Sequence, residues 1–172
     1  MPSLHICSLS RLHDTAASCR ASHVVSLVTG GTPVTRPEAI LPEHHLVLGL
    51  SDIVSPLDGH VLPATEHVEA LLAFARSWPR ERPVVIHCWA GISRSTAAAF
   101  IIACALAPNR SEAEIALSLR AASPSATPNP LLVSLADDLL GRDGRMANAV
   151  RAIGRGCEAM EGTPFMLGLN QA

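Results

Sequence analysis

Cys88 and Arg94 stand with five residues between them in the stretch Val84 to Ala99, VVIHCWAGISRSTAAA. A thiol and a guanidinium so spaced suit one task, attack on an oxyanion. The thiol supplies the nucleophile, and the planar guanidinium holds two oxygens of a phosphoryl group at once. An apolar, β-branched run leads into His87 and Cys88, and an apolar helical pattern follows Arg94 directly. A helix N-terminus reached from a strand end carries unpaired N–H groups and partial positive charge, a ready anion cup. Gly91 lets the backbone turn tightly and approach a ligand. A thiol at such a place ionises more readily than a free one, whose pKa is about 8.5, so Cys88 is expected to attack as its thiolate. The backbone amides of Trp89, Ala90, Gly91, Ile92, Ser93 and Arg94 are expected to cradle the phosphoryl oxygens. The Ser95 hydroxyl follows the arginine and can reach the Cys88 sulfur to help it leave. His87 precedes the nucleophile on the strand, so its side chain points away from the cup and braces the loop. Alone, Cys88 would read as a buried thiol; the fixed offsets of Gly91, Arg94 and Ser95 set it apart.

The stretch HCWAGISRS resembles the HCxxGxxR[ST] signature of cysteine-based protein tyrosine phosphatases. The likeness is to the compact dual-specificity type and is similar to small bacterial members. It covers residues 4 to 140 in element order, with the sharp motif at 87 to 95. The resemblance implies a two-step phosphomonoester hydrolysis through a phosphocysteine on Cys88, with no cofactor and no metal. It also implies an Asp, on a loop before the signature, that protonates the leaving oxygen. Asp52, just after an apolar strand in GLSDI, is the first candidate. Asp58 in SPLDGH is the second, although Asp-Gly there also reads as an ordinary turn. The resemblance further suggests Asn129 near the attacking water, whereas its place before Pro130 reads as a helix N-cap. The loop interior is neutral and lacks Lys, which favours a singly phosphorylated group such as phosphotyrosine over an inositol polyphosphate. Phosphoserine and phosphothreonine remain open, and the substrate is a phosphorylated protein or a small phosphomonoester. Two other classes compete: a binding module that holds a phospho-ligand without turnover, and a sulfur transferase or arsenate reductase using the same cup. Intact Cys, Arg and Asp speak against the first. Ser95, the preceding Asp and the want of paired cysteines near the cup speak against the second.

Four short apolar runs are expected to be strands: Leu4–Ser8, His23–Val28, Leu46–Leu50 and Pro83–His87. Their continuous apolarity suits strands buried on both faces of a parallel sheet. Helical patterns lie at Ser10 to Arg20 with Ser10 as a cap, at Pro63 to Ser77, and at Gly91 to Ala107. Another opens on Ser111 with Glu114 at the capping-box position, and one runs from Leu131 to Leu140, closed by Gly141. The expected fold is therefore α/β, a single domain with a mainly parallel sheet of four to five strands, helices on both faces and a helical C-terminal third. The phosphatase domain is assigned to 1–145. A C-terminal extension, 146–172, is expected to be a short helix near Ala147–Ile153 and then a loosely ordered tail.

The rest of the composition narrows the field. Net charge is -2 and aromatic content 3%, with no Lys/Arg run, so no nucleic-acid partner is expected. The most apolar run, Ala97 to Ala107, is far below the ~18 residues a bilayer span needs. Cys7, Cys19, Cys88, Cys104 and Cys157 include no CxxC pair. Their odd number points to free thiols in the cytoplasm. Cys104 reads as core. Cys7 could lie near Cys88 in the sheet and reads as inert packing before it reads as a redox partner. No His has metal-ligand spacing, and His13, His23, His44, His45, His60 and His67 are expected to be solvated or structural. Trp89 belongs to the loop rim or the substrate entrance.

Overall fold

The structure is a computed structural model that describes residues 2–170. Five strands form one sheet: β1 (Ser3–Ser8), β2 (His23–Val28), β3 (His45–Gly49), β4 (Val84–Cys88) and β5 (Phe165–Gly168). Their order is β3-β2-β4-β1-β5. The first four run parallel, and β5 joins antiparallel to β1, with Ser3 opposite Gly168 and Ile6 opposite Phe165. Among the described residues there are six α-helices: α1 (Leu12–Cys19), α2 (Thr65–Ser77), α3 (Arg94–Leu106), α4 (Glu112–Ala122), α5 (Pro130–Leu139) and α6 (Arg145–Ile153). Among the described residues, no helix is long and apolar enough to cross a membrane.

The two faces of the sheet are unequal because the strand residues alternate between them. Leu4, Ile6, Val25, Leu27, Ile86 and Cys88 face the larger core, which takes in most of α3. Cys7, Val24 and Val85 face a smaller core closed by Leu12 and Ala16 of α1. Helices thus lie on both faces, and on the smaller side α1 is joined by Ile40 and Val34 from the β2–β3 connection. α3 is buried from Arg94 to Cys104, so it is the central helix and its N-terminus is fixed by packing on every side.

Several expectations change at this level. Ser10 does not cap α1: the helix begins at Leu12 with no side-chain cap, and the Ser10 hydroxyl donates instead to the Glu161 carboxylate. α3 starts at Arg94 and not at Gly91, because residues 91–93 are spent curving the loop. The short helix of the extension is present, but the chain beyond it is not a loose tail. β5 completes the sheet, and α6 is capped from outside its own segment. The buried Asp137 carboxylate accepts the backbone N–H groups of Gly144 (2.7 Å), Met146 (2.7 Å) and Ala147 (3.0 Å). Several of the histidines also have partners. His23 stacks on His44 at 4.1 Å between ring centroids. His45 shares the Ser26 hydroxyl with His87, and His67 Nδ1 accepts the Ala64 N–H at the start of α2.

Candidate active site

β4 delivers Cys88 to the carboxyl edge of the sheet, the edge where α/β folds gather ligands. Its register beside β1 pairs Ser8 with Cys88 and Cys7 with His87. The loop after it must bend back at once to start α3, and Gly91 makes the bend with φ +73°. A Cβ there would lie 2.7 Å from the Cys7 carbonyl carbon and 2.8 Å from the Ser8 nitrogen. Both atoms are backbone, so only glycine lets the loop sit this close to β1.

Within the loop Cys88 is 2% exposed, and its sulfur has two polar neighbours. The Gly91 N–H donates to it at 3.3 Å, and Ser95 Oγ lies 3.1 Å away from the first turn of α3. Arg94 is buried, and its Nη1 donates to the Leu50 carbonyl at 2.8 Å and to Thr29 Oγ1 at 3.3 Å. Its Nε is buried with no partner among the described residues. An unpartnered guanidinium N–H inside a cup of backbone amides is a donor prepared for an anion.

His87 lies on the opposite face, as strand alternation demands. Its Nε2 is 2.6 Å from Ser26 Oγ, which is 2.8 Å from His45 Nε2. Burial pushes the His87 pKa down to about 4, so the ring is neutral near pH 7. It braces the strand end and carries no charge to the loop. Cys7, on that same face, has its thiol pushed up to about 12 by burial, and Cys104 likewise. Those values and the opposed faces make Cys7 packing and not a partner of Cys88.

Asp52 sits on the loop after β3, two residues beyond the Leu50 carbonyl that Arg94 holds. Its Oδ1 accepts from Ser93 Oγ at 2.7 Å and from Asn129 Nδ2 at 2.9 Å. Asn129 does two jobs with one buried amide. Its Oδ1 caps α5 by accepting the N–H groups of Leu131 (3.0 Å) and Leu132 (3.1 Å). Its Nδ2 ties Asp52 and the Ile53 carbonyl to that cap. Asp58 is brought to none of these groups. It lies in an exposed turn closed by the His60 N–H on the Leu57 carbonyl, with Gly59 at φ +77°. Trp89 is 66% exposed on the rim. Among the described residues, no group of three His, Cys, Asp or Glu side chains could hold a metal ion.

Four contributors escaped the sequence reading. Thr29 and the Leu50 carbonyl orient Arg94, and nothing in their types announces it. Glu161 accepts hydrogen bonds from Ser8 and Ser10 beside the loop. Gly162 donates its N–H to the Ala90 carbonyl at 2.8 Å. The glycines at 156 and 162, in a stretch with little other pattern, were the available signal.

This fold is that of the compact dual-specificity phosphatases. The crystal structure of DUSP15 superposes with a TM-score of 0.65 at 17% identity, covering 88% of this chain and 92% of that one. Human DUSP28 gives 0.62 at 19% identity, covering 90% of this chain and 97% of its own. PTP-2 phosphatase of Cydia pomonella gives 0.59 at 20%, covering 78% and 84%. No family model and no curated protein matches the chain.

Proposed function

We propose that the protein is a phosphomonoester hydrolase of the protein tyrosine or dual-specificity type, acting through a phosphocysteine. The observation that carries this reading is the Cys88 sulfur, contacted by Gly91 N–H and Ser95 Oγ beside an arginine with a free buried N–H. In the first step the Cys88 thiolate attacks phosphorus. The bond to the leaving oxygen breaks, and Asp52 gives that oxygen its proton. Arg94 and the loop amides hold the charge on the three remaining oxygens. In the second step Asp52 takes a proton from water, which attacks the phosphocysteine. Inorganic phosphate leaves, and the departing thiolate is stabilised by the Ser95 hydroxyl. Asn129 and Ser93 hold Asp52 in place for both steps. The neutral loop interior suits a singly phosphorylated group such as phosphotyrosine in a protein. The five free cysteines fit a reducing compartment such as the cytoplasm.

The test is hydrolysis of p-nitrophenyl phosphate in EDTA by the native protein and by Cys88→Ser. Turnover by the native protein is expected, with a loss of more than about a thousandfold in the variant. A native protein that leaves the ester intact yet binds phosphopeptides would make the loop a binding module, and the step assignments above would fall.

A further inference from the structure

The segment from Gly154 to Gly162 takes no part in the chemistry above, yet it stands beside the phosphate loop. It is pinned at both ends by close backbone contacts, and the one at Gly156 admits no side chain. At one end, a Cβ on Gly156 would lie 2.6 Å from the Ser125 carbonyl carbon and 2.7 Å from the Pro124 oxygen. The Gly156 N–H donates to Thr127 Oγ1 at 3.1 Å and the Cys157 N–H to the Pro124 carbonyl at 2.9 Å. Arg120 adds bonds to the carbonyls of Gly154 (2.8 Å) and Arg155 (3.3 Å). At the other end Gly162 lies against the Ala90 and Gly91 carbonyls. The span between the pins is therefore a wall and not a fraying end.

Between this wall and the Asp52 loop lies a groove of about 880 Å³. Asp52, Ile92 and Ser93 line it on the catalytic side; Arg151, Arg155 and Met160 line it on the other. The groove meets the phosphate loop at Ile92 and Ser93, beside the place a bound phosphoryl group would take on the phosphatase reading. Its volume is on the scale of a binding site of roughly 300–1,000 Å³. Met160 is 98% exposed, an apolar side chain offered to solvent next to two cations. Glu158 lines the groove too, but of the two cations Arg151 forms no ion pair among the described residues and Arg155 forms only a loose one. Arg151 donates to the neutral Asn148 Oδ1 at 2.8 Å. Arg155 is 4.0 Å from Glu158, a pair so exposed (79% and 91%) that it contributes almost nothing and yields readily to a ligand.

We propose that this groove binds the residues flanking the phosphorylated residue of a peptide substrate, and that Arg151 and Arg155 select an acidic side chain there. The inference rests on the phosphatase reading of the loop and names its substrate class: a phosphopeptide with carboxylates near the phosphorylated residue.

The experiment measures binding to the full-length Cys88→Ser protein, so it does not depend on turnover. Phosphotyrosine peptides with Glu, Ala or Lys near the phosphorylated residue, on either side, are titrated by calorimetry. Two exposed ion pairs predict that a Glu peptide binds about tenfold tighter than its Lys counterpart, with the advantage shrinking as salt is raised. The double swap Arg151→Glu with Arg155→Glu is expected to invert that order, a gain toward the Lys peptide that an unfolded variant cannot show. Equal binding of the three peptides, no binding of any, or a swap that leaves the order unchanged would overturn the proposal. Whether the native protein hydrolyses p-nitrophenyl phosphate reports on the phosphatase reading separately.

Discussion

The cleft has two walls, and they are held in opposite ways. The Asp52 loop is held by side chains: Ser93 and Asn129 take its carboxylate, while Arg94 takes the Leu50 carbonyl beneath it. The 154–162 wall is held at Gly156 and Gly162 by backbone pressed on backbone, with Arg120 and Thr127 bonding its main chain and none of its own side chains reaching Asp52 or Cys88. The first arrangement ties Asp52, the proposed proton donor, to the loop and to a helix cap, so on that mechanism a disturbance there acts on chemistry. The second fixes the position of a surface and touches no reacting atom. On the proposed readings, catalysis and recognition are therefore separable, and substitutions can pull them apart.

The sharpest separation is expected at Asp52. Asp52→Asn keeps a side chain that can still meet Ser93 and Asn129, but it cannot give up a proton as the carboxyl can. On the proposed mechanism kcat for an alkyl phosphate, whose leaving oxygen needs that proton, falls about 10³-fold, and a phosphopeptide still binds the Cys88→Ser, Asp52→Asn form. Equal kcat for the variant and native proteins would remove Asp52 from the mechanism. Gly156→Val attacks the other wall. Its added atoms meet the Pro124–Ser125 backbone, which cannot rotate away, so about 2 kcal/mol of stability is lost and the wall lifts. Preference among Glu, Ala and Lys peptides is expected to fade in this variant while p-nitrophenyl phosphate is still hydrolysed. If ester hydrolysis collapsed along with the preference, the walls would not be independent. The smallest effect is expected at Asn129→Ala, which removes the α5 cap and the Asp52 tie together. About 1 kcal/mol should be lost in chemical denaturation, with kcat reduced and KM for p-nitrophenyl phosphate unchanged. A stability loss with no change in kcat would leave Asn129 as a cap alone.

The strand–loop–helix around Cys88 was readable in the sequence because its constraints are local. His87 to Ser95 is a single stretch in which strand end, tight turn and helix start each require certain residue types, and the fold honours all three. The parallel strands were readable for the same reason: buried strands cannot hide their apolarity. Strand ends slipped by a residue, as at β3 and β4, where hydrogen bonding and not composition sets the boundary. Asp52 and Asp58 could not be separated by type, since the difference is made by Ser93 and Asn129, one of them 77 positions away from Asp52. The two readings of Asn129, cap and active-site neighbour, were not rivals, because the two atoms of its amide serve both. The second wall was illegible for a different reason. β5 is four residues, FMLG, with no alternation to betray it, and its place depends on an open sheet edge at β1. The histidine pairs were hidden likewise, since His23 and His44, or His45 and His87, meet only after the sheet forms.

The pairing of β1 with β5 has a consequence for how the molecule comes to be. Ser3 and Gly168 are partners across the sheet, so closing this edge joins segments from nearly opposite ends of the described chain. The closure entropy of so long a loop rises only slowly with length, but contacts of high sequence separation arrive late in folding. The β4–loop–α3 unit is local and can be in place early, whereas the 154–162 wall waits for its strand to dock. On the proposed reading, the surface that sorts peptides is thus the part of the molecule whose place depends on a closure spanning almost the whole described chain.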